Sequence, residues 1–395
     1  MEAITILTIF SLLIVLGLIL TWMSNKLSVS NVLVLIVIGL FLGYLVRSRG
    51  IFEISSTALV TIAILSLVII VFDGSSRFSV KSLTENGFLS LRLIGYFILI
   101  NLIIVAPFVS YLFFDEFNLS SLLYGGIFAV IMAATDPATL FVMFKNKTNK
   151  VIDFLRIEAV LNTPITIIIP FLFLDLIGYV GSTFELFEFY FISFLSQIII
   201  GIGAGILTGL IFFKAMKHFY SEQISPLAII TSALIAYILA ENLGGSGVLS
   251  VAVLGFVFGS VYVAHKELLQ EFSGMLSNSL EIIVFLLLGF IINLDLSLIF
   301  VAQSILVFLI LLICRYISVS LGLKEFNRKE RIFMALNMPK GLGTAVLVFS
   351  LSVMGISSLD IINNLIVIVM IYSLILSTFM NYYSKYFIKV SLKIS

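Results

Sequence analysis

One interrupted stretch determines how the rest of the sequence is interpreted: Ala133-Ala134-Thr135-Asp136-Pro137-Ala138-Thr139. It lies within an apolar run from about Leu122 to Phe144, which is long enough to be a membrane-spanning helix. Pro137 has no N–H, so the carbonyl of Ala133 loses its helical partner and Asp136 is pushed away from helical geometry. A carboxylate at that depth is costly unless it faces a cavity or a partner.

Two interpretations of this stretch are open. An interrupted helix that presents a carboxylate, a hydroxyl and a free carbonyl at the bilayer midplane is how secondary transporters build cation sites. The alternative is a proline kink in which Asp136 has a structural role and bonds to a neighbouring helix. Under the first interpretation, Thr135 and Asp136 are candidate ligands of a transported cation.

Composition places the chain in the membrane. Only 11% of the 395 residues are charged and 61% are hydrophobic, whereas an ordinary soluble domain is about 25% charged. We therefore expect an all-α polytopic membrane protein, a single membrane domain over 1–395 without a soluble domain. The net charge of +1 gives no reason to expect nucleic-acid binding. The single cysteine, Cys314, lies in an apolar run, which argues against a disulfide framework or a cysteine-based metal site.

Motifs for catalysis and cofactor binding are missing from the sequence. There is no His-Glu pair, no Gly-x-Ser-x-Gly elbow and no Cys/His cluster. The glycine-rich segment 242–247 lacks the spacing of a phosphate-binding loop. We expect neither an enzyme nor a resident cofactor.

Apolar runs separated by charged or Gly/Ser/Asn breaks predict thirteen membrane spans. Their approximate bounds are 3–23, 29–46, 57–72, 88–113, 121–144, 152–178, 187–213, 225–241, 247–264, 277–294, 298–321, 332–354 and 361–384.

Lys and Arg are concentrated in alternate connections, including those around 145–150 and 324–331. The other connections carry mainly Asp and Glu, and their only basic residues are Arg47 and Arg49. Because basic connections stay in the cytoplasm, this alternation predicts a multi-pass cell-membrane protein with its N-terminus outside and its C-terminus in the cytoplasm.

A second interruption lies in the twelfth predicted span, at 338–343, where Pro339 frees the carbonyl of Ala335. It is seven spans from the first interruption, an odd number, so the two halves would have opposite orientations. Paired interrupted helices in inverted repeats indicate a transporter binding site.

Several polar side chains fall inside the sixth predicted span. Glu158 and Asn162 are four residues apart and share a helix face, which Thr166 continues. Polar groups clustered in this way must face the protein interior. Glu158 and Arg156 can equally form structural pairs near the cytoplasmic end of the bundle.

Other charged residues lie in or next to predicted spans. Asp73 closes the third span and is either a site residue or a solvated helix-end carboxylate. Glu281 in the tenth span is expected to pair with a basic residue or to lie at the interface. Arg315 is deep in the eleventh span and needs a carboxylate partner, for which Glu158 and Asp136 are the candidates.

Lys340 lies at the break of the twelfth span. Two opposed helix ends at a crossing leave partial charges, which a lysine and an aspartate would balance. We therefore expect Lys340 to provide fixed structural charge, together with Arg315 and Glu158.

These residues together resemble the monovalent cation:proton antiporter superfamily, specifically its NhaP/NHE-like Na⁺/H⁺ exchanger branch, over nearly the whole chain. The resemblance rests on the order and spacing of short motifs: Phe72-Asp73-Gly74, Thr135-Asp136-Pro137, Glu158-Ala159-Val160-Leu161-Asn162, Gly244-Gly245-Ser246-Gly247-Val248-Leu249, Arg315 and Pro339-Lys340-Gly341-Leu342.

The resembling motifs have Asp73 where the family has Glu and Lys340 where it has Arg. A third departure matters more. The family has an Asp after the asparagine that Asn162 matches, and here the residue is Thr163. A hydroxyl ligates a dehydrated cation more weakly than a carboxylate and does not exchange a proton in the working range. This leaves Asp136 as the strongest candidate carboxylate.

The resemblance implies an NhaA/NapA-like antiporter fold with two crossed discontinuous helices. It implies a core bundle over about 57–178 and 298–384, scaffold or dimerisation helices over about 1–46 and 187–294, a homodimer, and elevator-like alternating access.

The expected function is exchange of a monovalent cation, Na⁺ first with Li⁺ and K⁺ as alternatives, for protons, with electroneutral stoichiometry. The expected ion site comprises Thr135, Asp136, Asn162 and Thr163, with Glu158 and Asp73 as further candidates. Two other functions stay open: an uncoupled K⁺ pathway, and a transport-inactive sensor or interaction protein, which Thr163 favours.

Overall fold

Helices make up nearly all of the structure. It is a computed structural model that describes residues 11, 14–24, 30–47, 56–78, 80–144, 147–177, 183–218, 221–292, 294–354, 356–388 and 391–392. In chain order the helices are α1 (Ile14–Ser24), α2 (Asn31–Arg47), α3 (Ser56–Ser76), α4 (Val80–Ile100), α5 (Ala106–Phe113), α6 (Leu119–Ile131), α7 (Pro137–Met143), α8 (Lys150–Ile177), α9 (Thr183–His218), α10 (Ser225–Asn242), α11 (Gly247–Ser260), α12 (Lys266–Ile291), α13 (Leu298–Gly322), α14 (Arg328–Leu336), α15 (Leu342–Val353), α16 (Ser357–Tyr382) and α17 (Ser384–Phe387).

Three short elements complete the secondary structure of the described residues. A π-helical turn, Asn101–Val105, joins α4 to α5. The two-residue strands β1 (Lys147–Thr148) and β2 (Ser391–Leu392) pair antiparallel.

Each of the thirteen predicted spans overlaps one or two of these helices, although residues 3–10 of the first lie outside the described part of the chain. Within the described ranges, seven helical segments are long and apolar enough to cross a membrane: Gly87–Phe113, Lys150–Leu174, Leu195–Met216, Ser225–Asn242, Lys266–Ile291, Leu298–Gly322 and Ser357–Tyr382. The predicted class, an all-α polytopic membrane protein, is confirmed, while the count of thirteen spans stays a prediction.

Both predicted interruptions are present, and they are built alike. α6 ends at Ile131 and α7 starts at Pro137, while α14 ends at Leu336 and α15 starts at Leu342. The first half of each broken span begins with an asparagine capping box, at Asn118 in α6 and at Asn327 in α14. These boxes satisfy the first free N–H groups of each half, so the two broken spans share a start as well as a break.

α3 and α12 pack side by side in opposite directions. The Gln270 amide donates to the carbonyl of Ser76 at 2.7 Å, and the Ser273 hydroxyl donates to the Asp73 carboxylate at 3.0 Å. The partner number on α3 falls as the number on α12 rises, so the two helices are antiparallel. α3 also contacts the second half of the broken α6–α7 span, since Gly74 lies against Pro137.

Candidate functional site

The two interrupted segments meet. The Asp136 N–H donates to the carbonyl of Pro339 at 2.8 Å. The Lys340 ammonium donates to the carbonyl of Ala134. Backbone groups freed by each break are therefore used by the other segment, which is how irregular backbone can be buried at membrane depth.

Asp136 is the N-cap of α7. Its Oδ2 accepts a hydrogen bond from the Thr139 N–H at 2.7 Å, and the side chain is only 5% exposed. Pro137 follows at the first helical position, where its missing N–H costs nothing. The local sequence thus fixes the direction of one carboxylate oxygen within the crossing.

Gly341 lies directly against the Asp136 carboxyl group. A Cβ atom added at Gly341 would overlap the Asp136 carboxyl carbon. At Gly343, by contrast, an added Cβ would come no closer than 3.5 Å to its nearest neighbour, Thr163 Cγ2, an ordinary contact. The crossing requires a missing side chain at 341 and tolerates one at 343.

Replacing Gly341 by Ala is therefore expected to destabilise the crossing, because the new methyl group forces the Asp136 carboxyl out of position. Overpacking of this kind costs about 1–3 kcal/mol. Thermal unfolding of the purified variant in detergent measures the effect, with Gly343→Ala as the matched control. Equal unfolding temperatures for the two variants would show that the contact between Gly341 and Asp136 is not tight.

Asn162 links α8 to the first interruption. Its Nδ2 donates at 2.7 Å to the carbonyl of Ala133, the group that Pro137 deprives of a helical donor. Its Oδ1 is buried and accepts no hydrogen bond from a described residue. Thr163, the next residue, donates from Oγ1 to the carbonyl of Ala159 at 2.9 Å. The helix that carries Asn162 therefore supports the break and leaves an amide oxygen unused.

Thr135 Oγ1 is likewise buried, and among the described residues it has no hydrogen-bond partner. Thr135 Oγ1 and Asn162 Oδ1 are thus two buried oxygens without a described hydrogen-bond donor. Thr135 precedes Asp136 in the chain, and Asn162 is hydrogen-bonded to the same interrupted segment. Hydroxyl, amide and carboxylate oxygens are the ligands that hard cations take.

A small cavity of about 20 Å³ adjoins Asp136 and Thr163. A water molecule needs about 10–15 Å³, so the cavity holds one occupant of that size. Its lining residues come from α3, the two interruptions and α8: Leu67, Ile70, Val71, Gly74, Ser75, Asp136, Pro137, Val160, Thr163 and Gly343.

A larger cavity of about 400 Å³ lies beside the small one, and Leu67 lines both. It extends to the turn between α10 and α11, where Glu241 and Ser246 line it, and Gln197 of α9 adds a further polar group. The sequence places this turn among the acidic connections. Leu67 therefore lies between the larger cavity and the small cavity beside Asp136.

Arg315 pairs with Glu158, one of the two partners that the sequence offers as candidates. The two terminal guanidinium nitrogens of Arg315 donate to the two carboxylate oxygens of Glu158 at 3.2 and 2.8 Å, and neither side chain is exposed. The ring of Phe97 lies 4.8 Å from the guanidinium carbon. A bidentate pair of this kind is a strong, directional contact. Both oxygens of Glu158 are committed to Arg315, which favours a structural role for this carboxylate over cation binding.

Lys340 is fully buried at the second interruption. Besides the contact with Ala134, its backbone N–H donates to Ser373 Oγ at 3.2 Å, which ties the break to α16. The structure thus places the Lys340 side chain at the crossing, and its role as a fixed structural charge stays a prediction.

Asp73 does not join the crossing. Its carboxylate pairs with Arg77 at 2.9 Å and accepts from Ser273 at 3.0 Å. Its neighbour Gly74, which has no side chain, is the residue that faces Pro137 and the small cavity. The geometry supports a cross-link between α3 and α12 for Asp73 and gives no support to its candidacy as a cation ligand.

Glu281 is the residue that sequence reasoning missed. The sequence predicts for it a basic partner or an interfacial position, but the side chain is only 5% exposed, and the charged group it interacts with is Asp136. No described residue donates a hydrogen bond to its carboxylate. The sequence indicated only that Glu281 directly precedes the apolar run 282–290. The pattern of a single helix does not predict which residue of another helix lies opposite it.

The chain is similar to known membrane transporters over most of its length. Residues 10–382 match the model of the family described as "Sodium/hydrogen exchanger, transmembrane". The K(+)/H(+) antiporter NhaP2 of Shewanella baltica is 28% identical over 333 residues, which are 82% of this chain and 56% of that protein. This chain therefore spans little more than half the length of that relative.

Two further matches cover most of both chains. The Na(+)/H(+) antiporter 1 of Methanocaldococcus jannaschii is 25% identical over 387 residues, 89% of this chain and 84% of that protein. The solved structure of the sodium proton antiporter MjNhaP1 from the same organism at pH 8 superposes with a TM-score of 0.78 over 96% of this chain and 99% of that chain, at 23% identity. The structural similarity establishes a shared fold.

Proposed function

We propose, from the premise that this chain belongs to the sodium/hydrogen exchanger family, that it is a secondary transporter exchanging a monovalent cation for protons. The observation that carries the proposal is the buried carboxylate of Asp136 at the meeting point of two interrupted helices. Na⁺ is the first cargo to test, with Li⁺ and K⁺ as alternatives, because relatives are named for both Na⁺/H⁺ and K⁺/H⁺ exchange.

Competition for one site explains exchange. A carboxylate removed from water is unstable unless a counter-charge neutralises it. A proton or a cation can do this, and the small cavity has room for one such occupant. When the site opens alternately to the two sides of the membrane, each cation carried in one direction is exchanged for a proton carried in the other.

The proposed ligands are Asp136, with Thr135, Asn162 and Thr163 supplying neutral oxygens. Both Thr135 Oγ1 and Asn162 Oδ1 are buried without a hydrogen-bond donor from the described residues, which leaves them free to bind a cation. A single exchanging charge gives one-for-one stoichiometry, and the transport would then be electroneutral.

The larger architecture is also part of the proposal. The core bundle would comprise about 57–178 and 298–384 and move as an elevator against the helices of about 1–46 and 187–294, which would also form a homodimer. The N-terminus would lie outside and the C-terminus in the cytoplasm, which the alternation of basic and acidic connections supports.

Reconstitution tests the function. In proteoliposomes with an imposed pH gradient, addition of Na⁺, Li⁺ or K⁺ in turn is expected to dissipate the gradient at a rate that saturates with the cation. A membrane potential is expected to leave the rate unchanged. Cation flux that carries a current and does not move protons would instead identify an uncoupled K⁺ pathway.

A second candidate function rests on Thr163, which replaces the carboxylate that the family has at this position. If the native chain moves no ions but Thr163→Asp does, the chain is a transport-inactive relative with a sensing or interaction role. The proposed exchanger predicts activity in the native chain.

For the exchanger, Thr163→Asp is expected to make transport sensitive to membrane potential. The added carboxylate lies on the cavity that Asp136 lines, so a second proton would accompany each exchange. Thr163→Asn, of similar size without the charge, is the control and is expected to stay electroneutral. Proton flux measured at clamped potentials distinguishes the two, and equal voltage dependence in both variants would place position 163 outside the site.

A further inference from the structure

Five charged side chains are buried within the described part of the chain. They are the carboxylates of Asp136, Glu158 and Glu281 and the basic groups of Arg315 and Lys340, each no more than 5% exposed. With all five ionised, three negative charges face two positive ones. In that fully ionised state the buried core has one negative charge in excess.

The two positive charges already have neighbours. Arg315 is bound to Glu158 through both nitrogens, at 3.2 and 2.8 Å. Lys340 donates to the carbonyl of Ala134, two residues before Asp136. Both basic groups therefore lie at the crossing, whereas Glu281 lies on α12 without a basic partner among the described residues.

The position of Glu281 follows from the antiparallel contact between α3 and α12. Ser273 of α12 binds Asp73 of α3, and Glu281 lies eight residues further along α12, on the same broad face and about 12 Å deeper. Its level on α3 is within a turn of Leu67, the residue that lines both cavities. At this depth the Glu281 and Asp136 carboxylates interact electrostatically.

Among the described residues, no group compensates the Glu281 carboxylate. No described residue forms a hydrogen bond or an ion pair with the Glu281 carboxylate, although the residue is only 5% exposed. A buried charge in this state is costly by several kcal/mol. The charged group with which Glu281 interacts is another carboxylate, Asp136. Since the described residues offer no partner, a bound cation or proton is needed to relieve the repulsion between the two carboxylates.

We infer that Glu281 is a second carboxylate of the cation site, and that it supplies from α12 the negative charge that Thr163 does not supply from α8. The inference rests on the proposed exchange function. The site then consists of two carboxylates, Asp136 and Glu281, with the neutral oxygens of Thr135, Asn162 and Thr163. One monovalent cation brings the fully ionised buried core to neutrality.

The test moves this charge between the two helices. Glu281→Gln is expected to raise the half-saturating cation concentration for exchange by at least about tenfold, a loss seen even when a group that only supports a metal ligand is removed. The double variant Glu281→Gln with Thr163→Asp restores the count of buried carboxylates and is expected to regain electroneutral exchange. Glu271→Gln, on the exposed side of α12, is the matched control and is expected to behave like the native protein.

A binding measurement covers variants that reconstitute poorly. Added Na⁺ or K⁺ is expected to raise the unfolding temperature of the native protein and the double variant in detergent, and to raise that of Glu281→Gln only at about tenfold higher cation concentration. Native exchange kinetics in Glu281→Gln, or a double variant that recovers neither exchange nor the cation-dependent shift, would overturn the inference. Loss of exchange in the native protein itself would instead remove the proposed function, while the thermal shift would still decide whether Glu281 binds a cation.

Discussion

Asp136→Asn is expected to abolish cation-driven dissipation of a pH gradient in proteoliposomes. Asparagine has the same shape and is as good an N-cap as aspartate, so its side-chain oxygen can still accept from the Thr139 N–H that Asp136 holds at 2.7 Å. The variant keeps the crossing and loses the group that carries a proton or binds a cation by charge. The loss of transport is therefore expected without a loss of fold.

The unfolding temperature in detergent provides the control for this variant. It is expected to match that of the native protein when no cation is added. Asp136→Ala, in contrast, also removes the cap, which costs about 0.5–2 kcal/mol. An Asp136→Asn protein that exchanges at the native rate would remove Asp136 from the mechanism.

Arg315→Met is expected to cause the largest loss of stability. It leaves the carboxylate of Glu158, which is fully buried, without its partner. Breaking a buried pair from one side typically costs about 3–5 kcal/mol. Thermal or denaturant unfolding in detergent measures the loss.

The pair can be separated from its members by a double-mutant cycle. Glu158→Gln with Arg315→Met removes both charges and is expected to recover most of the stability lost in Arg315→Met. The exposed pair between Arg92 and Glu325, with side chains 35% and 51% exposed, is the reference. Glu325→Gln there is expected to cost at most about 1 kcal/mol, and a similar small cost for Arg315→Met would contradict the structural role of the buried pair.

The broken helices could be predicted because their cause is local. Pro137 and Pro339 each remove a backbone donor, and the consequence for the neighbouring carbonyl follows from covalent geometry. Hydrophobicity alone located the helices, although their bounds differ by several residues: the seventh predicted span, 187–213, is the helix Thr183–His218. The ends differ because caps and turns decide them and hydrophobicity does not.

The partners of buried charges were only partly predictable. Periodicity shows which face of a helix carries Arg315 or Glu158, but not which helix lies opposite, so both Glu158 and Asp136 were candidates for Arg315. Packing selects Glu158 and gives Ala134 to Lys340. Such contacts join residues 157 and 206 positions apart, a separation that no local pattern encodes.

For Asp73 and Glu281, too, the sequence did not predict the partner of the carboxylate. Asp73 matches a family motif, yet its carboxylate turns to Arg77 and Ser273 because α12 supplies a hydroxyl there. Glu281 belongs to none of the motifs that carry the resemblance, yet the register of α12 against α3 brings it into the field of Asp136. Both outcomes depend on how two long helices pack.

Proton release on cation binding tests ligand exchange at Asp136 most directly. Purified protein in weakly buffered detergent solution is titrated with Na⁺, Li⁺ or K⁺ while the pH is recorded. Because a cation displaces the proton held by its carboxylate ligands, we expect about one proton to be released per cation bound, and none from Asp136→Asn. Cation binding that releases no proton from the native protein, or equal release from Asp136→Asn, would contradict the proposed exchange.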